Sequence, residues 1–244
     1  RKSIFITGCN RGIGLGLVKE LLKNQSISTI IAGTRCFEKA EELLQLRADP
    51  RLHVVEIDLE KEETIKDAFK KVPAEDILGY TGLDYLINNA GICVPLNVNA
   101  PIDRAAARAT YEVNVIGTLS VIQTFKPLLL KAVQVKDRAQ IINMSSIMAS
   151  MKHTFGPFGD RHFAGYSMSK AALNMMTVTL SIDFKKDLIG VTSISPGWVQ
   201  TEMGGEGAQI TVEESTRGLA KLVMELGDEH NGKYYDYDST PIEW

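Results

Sequence analysis

Thr7-Gly8-Cys9-Asn10-Arg11-Gly12-Ile13-Gly14 decides the fold of this chain. It stands between Ser3-Ile4-Phe5-Ile6-Thr7, a short apolar run of β-favouring residues, and residues 13–22, where apolar side chains recur at helical spacing. A strand, a glycine turn and a helix in succession present free backbone N–H groups and the positive end of a helix dipole to an anion, and glycine lets that anion come close. Glycine also marks any tight turn, so the context carries the reading. The spacing is Gly-x-x-x-Gly-x-Gly, not the Gly-x-Gly-x-x-Gly of the common dinucleotide fingerprint.

Working outward, the same alternation continues. Short apolar runs at 29–33, 52–57, 83–88, 139–144, 190–195 and 233–236 read as strands. Segments 37–46, 60–71, 102–133, 166–186 and 212–226 read as helices, with Pro127 expected to kink or break the longest. Strands that are apolar throughout, rather than two-faced, belong in a parallel sheet covered on both faces. Right-handed crossovers then give an α/β fold: one Rossmann-type doubly wound parallel sheet of about seven strands with helices on both faces, residues 1–244 forming a single domain. Ligands of such sheets bind beyond the carboxyl ends of the strands.

Composition narrows the function. The 244 residues are 44% hydrophobic and 23% charged, ordinary for a globular protein. A net charge of −3 lacks the basic excess of a general nucleic-acid binder. Cys9, Cys36 and Cys93 are scattered, with no Cys-x-x-Cys and no Cys/His cluster at metal-ligand spacing, so reduced thiols and no metal are expected. No apolar run reaches the roughly 20 residues of a membrane span, and the opening residues lack a leader pattern. A cytoplasmic protein without membrane or nucleic-acid partners is the expectation.

The strand ends carry the chemistry. Gly33-Thr34-Arg35 follows strand two, where NAD-binding sites usually place an acidic residue for the ribose 2′-hydroxyl. Here Arg35, with Arg11 from the first turn, suits a 2′-phosphate, which guanidinium groups grip bidentately. The alternative is two ordinary surface arginines. Asp58-Leu59 stands where an adenine ring would lie, although a surface carboxylate reads as well. Asn88-Asn89-Ala90-Gly91 follows strand four; it offers side-chain amides and close backbone approach to a ligand, and reads equally as a generic turn. Ser145-Ser146 follows strand five. Tyr166 and Lys170, four residues apart, share one helical face. A free phenol titrates near 10, so a catalytic tyrosine needs help from a nearby ammonium to exchange protons near neutral pH.

Taken together, Thr7-Gly8-x-x-x-Gly12-x-Gly14, Asn88-Asn89-Ala90-Gly91, Asn114, Ser146, Tyr166-x-x-x-Lys170 and Pro196-Gly197 resemble the classical short-chain dehydrogenase/reductase family, in order and over essentially the whole chain. The stretch from Pro196 to Met203 and the ending Gly232-Lys233-Tyr234 are similar to its carbonyl-reductase and sniffer/C-factor-like branch. The resemblance implies Tyr166 as general acid in reduction and base in oxidation. It implies Lys170 on the nicotinamide ribose and lowering the Tyr166 pKa, Ser146 orienting the substrate carbonyl, and Asn114 helping to hold a relay water. It places Gly8, Arg11, Gly12, Ile13, Gly14, Arg35, Asp58, Leu59, Asn89, Ala90, Gly91, Tyr166, Lys170, Pro196, Gly197, Val199 and Thr201 against NADP(H). Family members are often dimers or tetramers through their long helices, here about 104–131 and 166–186, while carbonyl reductases of this kind can be monomers, so the resemblance leaves a homodimer, a homotetramer or a monomer open.

There are departures. Ser146 precedes Tyr166 by 20 residues rather than the usual 13 or so, and Ser145 and Ser150 compete with it; its place just past the strand favours Ser146. The longer loop, 151–163, carries Phe155, Phe158 and Phe163 beside Gly156 and Gly159 and reads as a pocket wall or as core anchors. His153 and His162 have no third ligand in sight, and Asp160-Arg161 reads as a surface pair. The glycine-rich 203–208 reads as a mobile lid. The expected activity is NADPH-dependent reduction of an aldehyde, ketone or quinone. An NADP-binding sensor with little catalysis, and an alcohol dehydrogenase working oxidatively, are the rivals.

Overall fold

The computed structural model describes residues 1–72, 78, 81–153 and 163–244. Seven strands form one parallel sheet: β1 (Lys2–Ile6), β2 (Ile27–Thr34), β3 (Leu52–Glu56), β4 (Tyr85–Asn88), β5 (Ala139–Met144), β6 (Ile189–Ser195) and β7 (Tyr234–Asp236). Their order is β3-β2-β1-β4-β5-β6-β7, and every neighbouring pair is parallel. The order reverses between β1 and β4, so a crevice opens beyond their carboxyl ends.

Both faces of the sheet are buried, which is why its strands are mostly apolar, with buried polar residues such as Gln140, Asn143 and Thr192 among them and Glu56 exposed at the end of β3. In β1, Ile4 and Ile6 point into one core while Phe5 points into the other. The first core is covered by α1 (Gly12–Leu22), α2 (Glu41–Gln45) and α7 (Val212–Glu225), through Leu17, Leu21, Leu43 and Leu219. The second is covered by α3 (Glu62–Lys71), α5 (Thr118–Lys136) and α6 (Ala164–Asp183), with Phe125 in the centre against Phe5, ring centroids 4.4 Å apart.

Two expectations need correction. The segment 37–46 is not one helix. It is a short 3₁₀ turn at Phe37–Lys39, the five-residue α2 and another turn at Leu46–Ala48, interrupted where Ala40 leaves the helical region at φ −125°, ψ 29°. Pro127 does not break α5, which runs through it. Phe125, Leu128 and Leu129, all buried, press this stretch onto the sheet, and that burial offsets the cost of about 3 kcal/mol for an interior proline. The irregular turn lies further upstream. After α4 (Arg104–Tyr111) the helix widens into a π-helical stretch, Glu112–Gly117, where Gly117 packs on the Leu59 carbonyl. By length and composition the continuous helix Arg104–Lys136 could cross a membrane, contrary to the sequence reading. Here half of its apolar window is buried inside the fold. The outward faces of the long helices carry Ile116, Met168, Met175 and Ile182, each more than half exposed.

Candidate active site

The glycine turn and β4 close on each other at the reversal point. Gly8 has φ +72°, and a Cβ there would lie 2.8 Å from the Ala90 Cα. Gly14 is tighter still, since a Cβ would lie 2.2 Å from the Gly8 carbonyl oxygen. Asn89 holds the turn in place. Its Nδ2 donates to the Thr7 and Gly8 carbonyls (2.9 and 3.1 Å), and its backbone N–H, like that of Ala90, donates to Thr7 Oγ1. The Asn89 amide is therefore spent on the cradle itself. Arg11 begins α1 without a side-chain cap, which leaves the first-turn N–H groups to an incoming anion. Cβ atoms on Gly8 or Gly14 would strike neighbouring chain, so these glycines let the turn close tightly, and its free N–H groups suit an oxygen-rich pyrophosphate.

Cys9 donates its backbone N–H to the Gly33 carbonyl (2.8 Å), so the first turn abuts the end of β2. Arg11 and Arg35 each follow two residues after these, on the rim, with side chains 63% and 62% exposed. Arg11 pairs with Glu202 and Arg35 lies 3.9 Å from Glu60. Exposed pairs of this kind are weak, so a dianionic phosphate can displace them. Asp58 is buried, accepting from the Glu60 N–H and pairing with Lys61 at 3.5 Å; Leu59 is buried beside it. On the far side, Gly197 donates its N–H to Ser195 Oγ, Pro196 accepts from Ser215 Oγ, and Val199 is buried. A Cβ on Gly12 would come 3.4 Å from Thr201 Cγ2, so Thr201 sits over the glycine turn. Segment 203–208, read as a lid, is fastened to this wall: Trp198 Nε1 donates to the Gly204 carbonyl and Gln200 Nε2 to that of Ala208.

Tyr166 and Lys170 lie on the face of α6 that looks onto the sheet. Lys170 is 4% exposed; its Nζ donates to the Met144 carbonyl at 2.7 Å and stands 5.7 Å from the Tyr166 ring centroid. A Cβ on Gly91 would lie 3.3 Å from that Nζ and 3.2 Å from Asn114 Oδ1. Asn114, in the π-helical stretch, is saturated: its amide accepts from Ile92 N–H and donates to the Ile92 carbonyl and Ser169 Oγ. Its side chain fastens the end of β4 to α6. The three serines differ in their partners. Ser145 Oγ donates to Asn174 Oδ1 and Ser150 Oγ to the Glu243 carbonyl, whereas Ser146 Oγ caps Met148 N–H and reaches the Tyr166 phenol.

The electrostatics depart from the sequence reading. Burial pushes the Tyr166 phenol well above its ordinary value, the nearby Cys93 adds to the rise, and only the hydrogen bond with Ser146 opposes it. Lys170 Nζ is turned to the Met144 carbonyl. Burial lowers the Lys170 pKa to about 8. Cys93, half-buried between these groups, was missed in the sequence, as were Tyr234 and Asn174 behind Ser146. Nothing but the folding of distant strands together identifies them. Phe155, Gly156, Phe158, Gly159, Asp160, Arg161 and His162 lie outside the described residues; Phe163 forms a bridge with Leu96.

A sequence profile of the short chain dehydrogenases matches residues 2–214, and the chain belongs to that family of oxidoreductases. An uncharacterised oxidoreductase of Schizosaccharomyces pombe is 33% identical over 259 residues, covering 99% of this chain and 97% of that one. Among solved structures, the carbonyl reductase Sniffer of D. melanogaster superposes with a TM-score of 0.92 at 35% identity, covering 100% and 99% of the two chains. The NADPH-bound carbonyl reductase from chicken fatty liver superposes at 0.93 with 32% identity, covering 100% and 94%.

Proposed function

We propose that this protein is an NADPH-dependent carbonyl reductase with Tyr166 as its proton donor. The observation that carries the reading is the buried Lys170 one helical turn from the half-buried Tyr166, with Ser146 on the phenol, beside Gly91 at the edge of the nucleotide crevice. NADPH supplies a hydride to the carbonyl carbon when bound. Tyr166 gives its proton to the carbonyl oxygen, and Ser146 Oγ donates a hydrogen bond that holds that oxygen in reach. The resulting alcohol is released and Tyr166 regains a proton from solvent along Lys170. Asn114 keeps the Ile92 turn and α6 in register, so any water-holding role falls to its main-chain oxygen.

An NADPH-oxidation screen over quinones, aromatic aldehydes, keto-steroids and aliphatic ketones tests the reading. Turnover of at least one class is expected, and a thermal shift with NADPH but no turnover of any class would favour a sensor. Charge at the rim sets the cofactor. Arg35→Asp is expected to raise the KM for NADPH about ten-fold or more and to leave that for NADH little changed. Equal effects on both cofactors would remove the 2′-phosphate from Arg35.

The pH dependence follows from Lys170. Its ammonium is present below a pKa of about 8 and lost as pH rises through it, whereas an exposed lysine would keep its charge to beyond pH 10. The kcat/KM for NADPH reports groups of the free enzyme, so it is expected to fall above about pH 8. Lys170→Met should show a low, flat profile in place of that limb.

A further inference from the structure

We infer that Tyr234 is a positioning residue for Ser146, clamped in turn by residues 241–244; this deepens the carbonyl-reductase reading and rests on it. Tyr234 lies on β7, at the far end of the sheet from the nucleotide rim, and is only 2% exposed. A phenol so buried must direct its hydroxyl at an acceptor. That acceptor is the main-chain oxygen of Ser146.

Ser146 is thus held at two points. Its carbonyl is fixed by Tyr234, and its Oγ is drawn between Met148 N–H and the Tyr166 phenol. With the backbone at φ −161°, ψ 147°, rotation about the Ser146 Cα–C bond would change the aim of Oγ relative to that anchored carbonyl. The Tyr234 hydroxyl opposes that rotation. Around it stand the side chains of Ser145 and Asn174, joined to each other at 2.7 Å. Asn174 follows Tyr166 and Lys170 at four-residue intervals on α6, so the same helical face that carries the reacting pair also carries this support. Burial and the Asp236 carboxylate both keep Tyr234 protonated, hence a donor.

The clamp has a second layer. Trp244 stacks on the Tyr234 ring, centroids 5.4 Å apart with 18° between planes, and Ile242 N–H donates to the Tyr234 carbonyl at 2.9 Å. Between them Glu243 accepts from Ser150 Oγ at its carbonyl and pairs with Lys152 through its side chain. Residues 241–244 therefore bridge β7 to the turn that carries Ser146. None of these groups touches the reacting atoms. They act through the aim of one hydroxyl, where small displacements are costly.

The test is a double-mutant cycle on whichever carbonyl the screen shows to be reduced. Tyr234→Phe keeps the ring and its stack and removes only the hydroxyl. It is expected to lower kcat about ten-fold with the KM for NADPH unchanged. In a Ser146→Ala background the same change should cost nothing further, because its effect passes through Ser146. Trp244→Ala should lower kcat in the same way, and Trp244→Phe should restore most of it. Additive losses in the cycle, or a fall in melting temperature with kcat intact, would make Tyr234 a merely structural residue and overturn the inference while leaving the carbonyl-reductase reading standing. A wild-type protein that reduces nothing in the screen would overturn both.

Discussion

Tyr166→Phe is expected to lower turnover by about a thousand-fold, in the range attributed to a lost general acid, with NADPH affinity nearly intact. The substitution removes one oxygen and leaves the ring in place. The groups around it have other anchors: Ser146 Oγ stays capped to Met148 N–H and Lys170 Nζ stays on the Met144 carbonyl. The cradle of Gly8, Gly14 and Asn89 lies on different elements and is not disturbed. Steady-state NADPH oxidation beside a fluorescence titration of NADPH separates the two effects. Undiminished turnover would end the assignment of Tyr166. Loss of NADPH binding in parallel would mean that the phenol serves the cofactor site and not the proton. The prediction also bears on the raised phenol. Burial holds Tyr166 in its protonated form, so Tyr166→Phe removes a phenol and its proton, not a phenolate.

Much of this arrangement is legible in the sequence because its causes are local. Strands buried on both faces are mostly apolar, so β1 to β6 stand out as short runs between helical segments. A glycine turn between strand and helix is visible as spacing. Tyr166 and Lys170 share a face by the period of the helix alone. What depends on tertiary contacts is not legible. Pro127 reads as a break because propensity says so, and only the burial of Phe125, Leu128 and Leu129 explains why the helix continues. Asn89 and Asn114 read as groups offered to ligands, but Asn89 Nδ2 is engaged by the Thr7 and Gly8 carbonyls and the Asn114 amide by Ile92 and Ser169, all from segments distant in sequence. Ser145, Ser146 and Ser150 cannot be ranked until Asn174 and the Glu243 carbonyl claim two of them. The charge of Lys170 suggested a lowered Tyr166 pKa; desolvation, which no sequence reports, raises it.

Gly14→Ala is expected to abolish NADPH binding and to destabilise the fold by roughly 3 kcal/mol or more, as overpacking against immobile atoms does. The added Cβ would stand 2.2 Å from the Gly8 carbonyl oxygen, 2.6 Å from Asn89 Nδ2 and 2.9 Å from the Gly8 carbonyl carbon. Two of these are backbone, and the third belongs to the amide that ties the turn to Thr7 and Gly8. None can rotate away. Relief requires α1 to retreat from the turn, which withdraws the first-turn N–H groups from the place a pyrophosphate would occupy. Gly16→Ala, two residues on in the same helix, is the control. Its Cβ would meet Val212 Cγ1 at 2.5 Å and Thr216 Cγ2 at 3.0 Å, which are side-chain ends on α7 that can turn aside. Part of that cost is returned by the roughly 1 kcal/mol advantage of alanine over glycine inside a helix. Thermal denaturation of both variants with and without NADPH reads the difference: Gly16→Ala should keep the ligand-induced rise in melting temperature and Gly14→Ala should lose it. Equal stability and equal NADPH shifts in the two variants would show that the turn yields, and that the close approach of Gly14 to Gly8 does not shape the cofactor cradle.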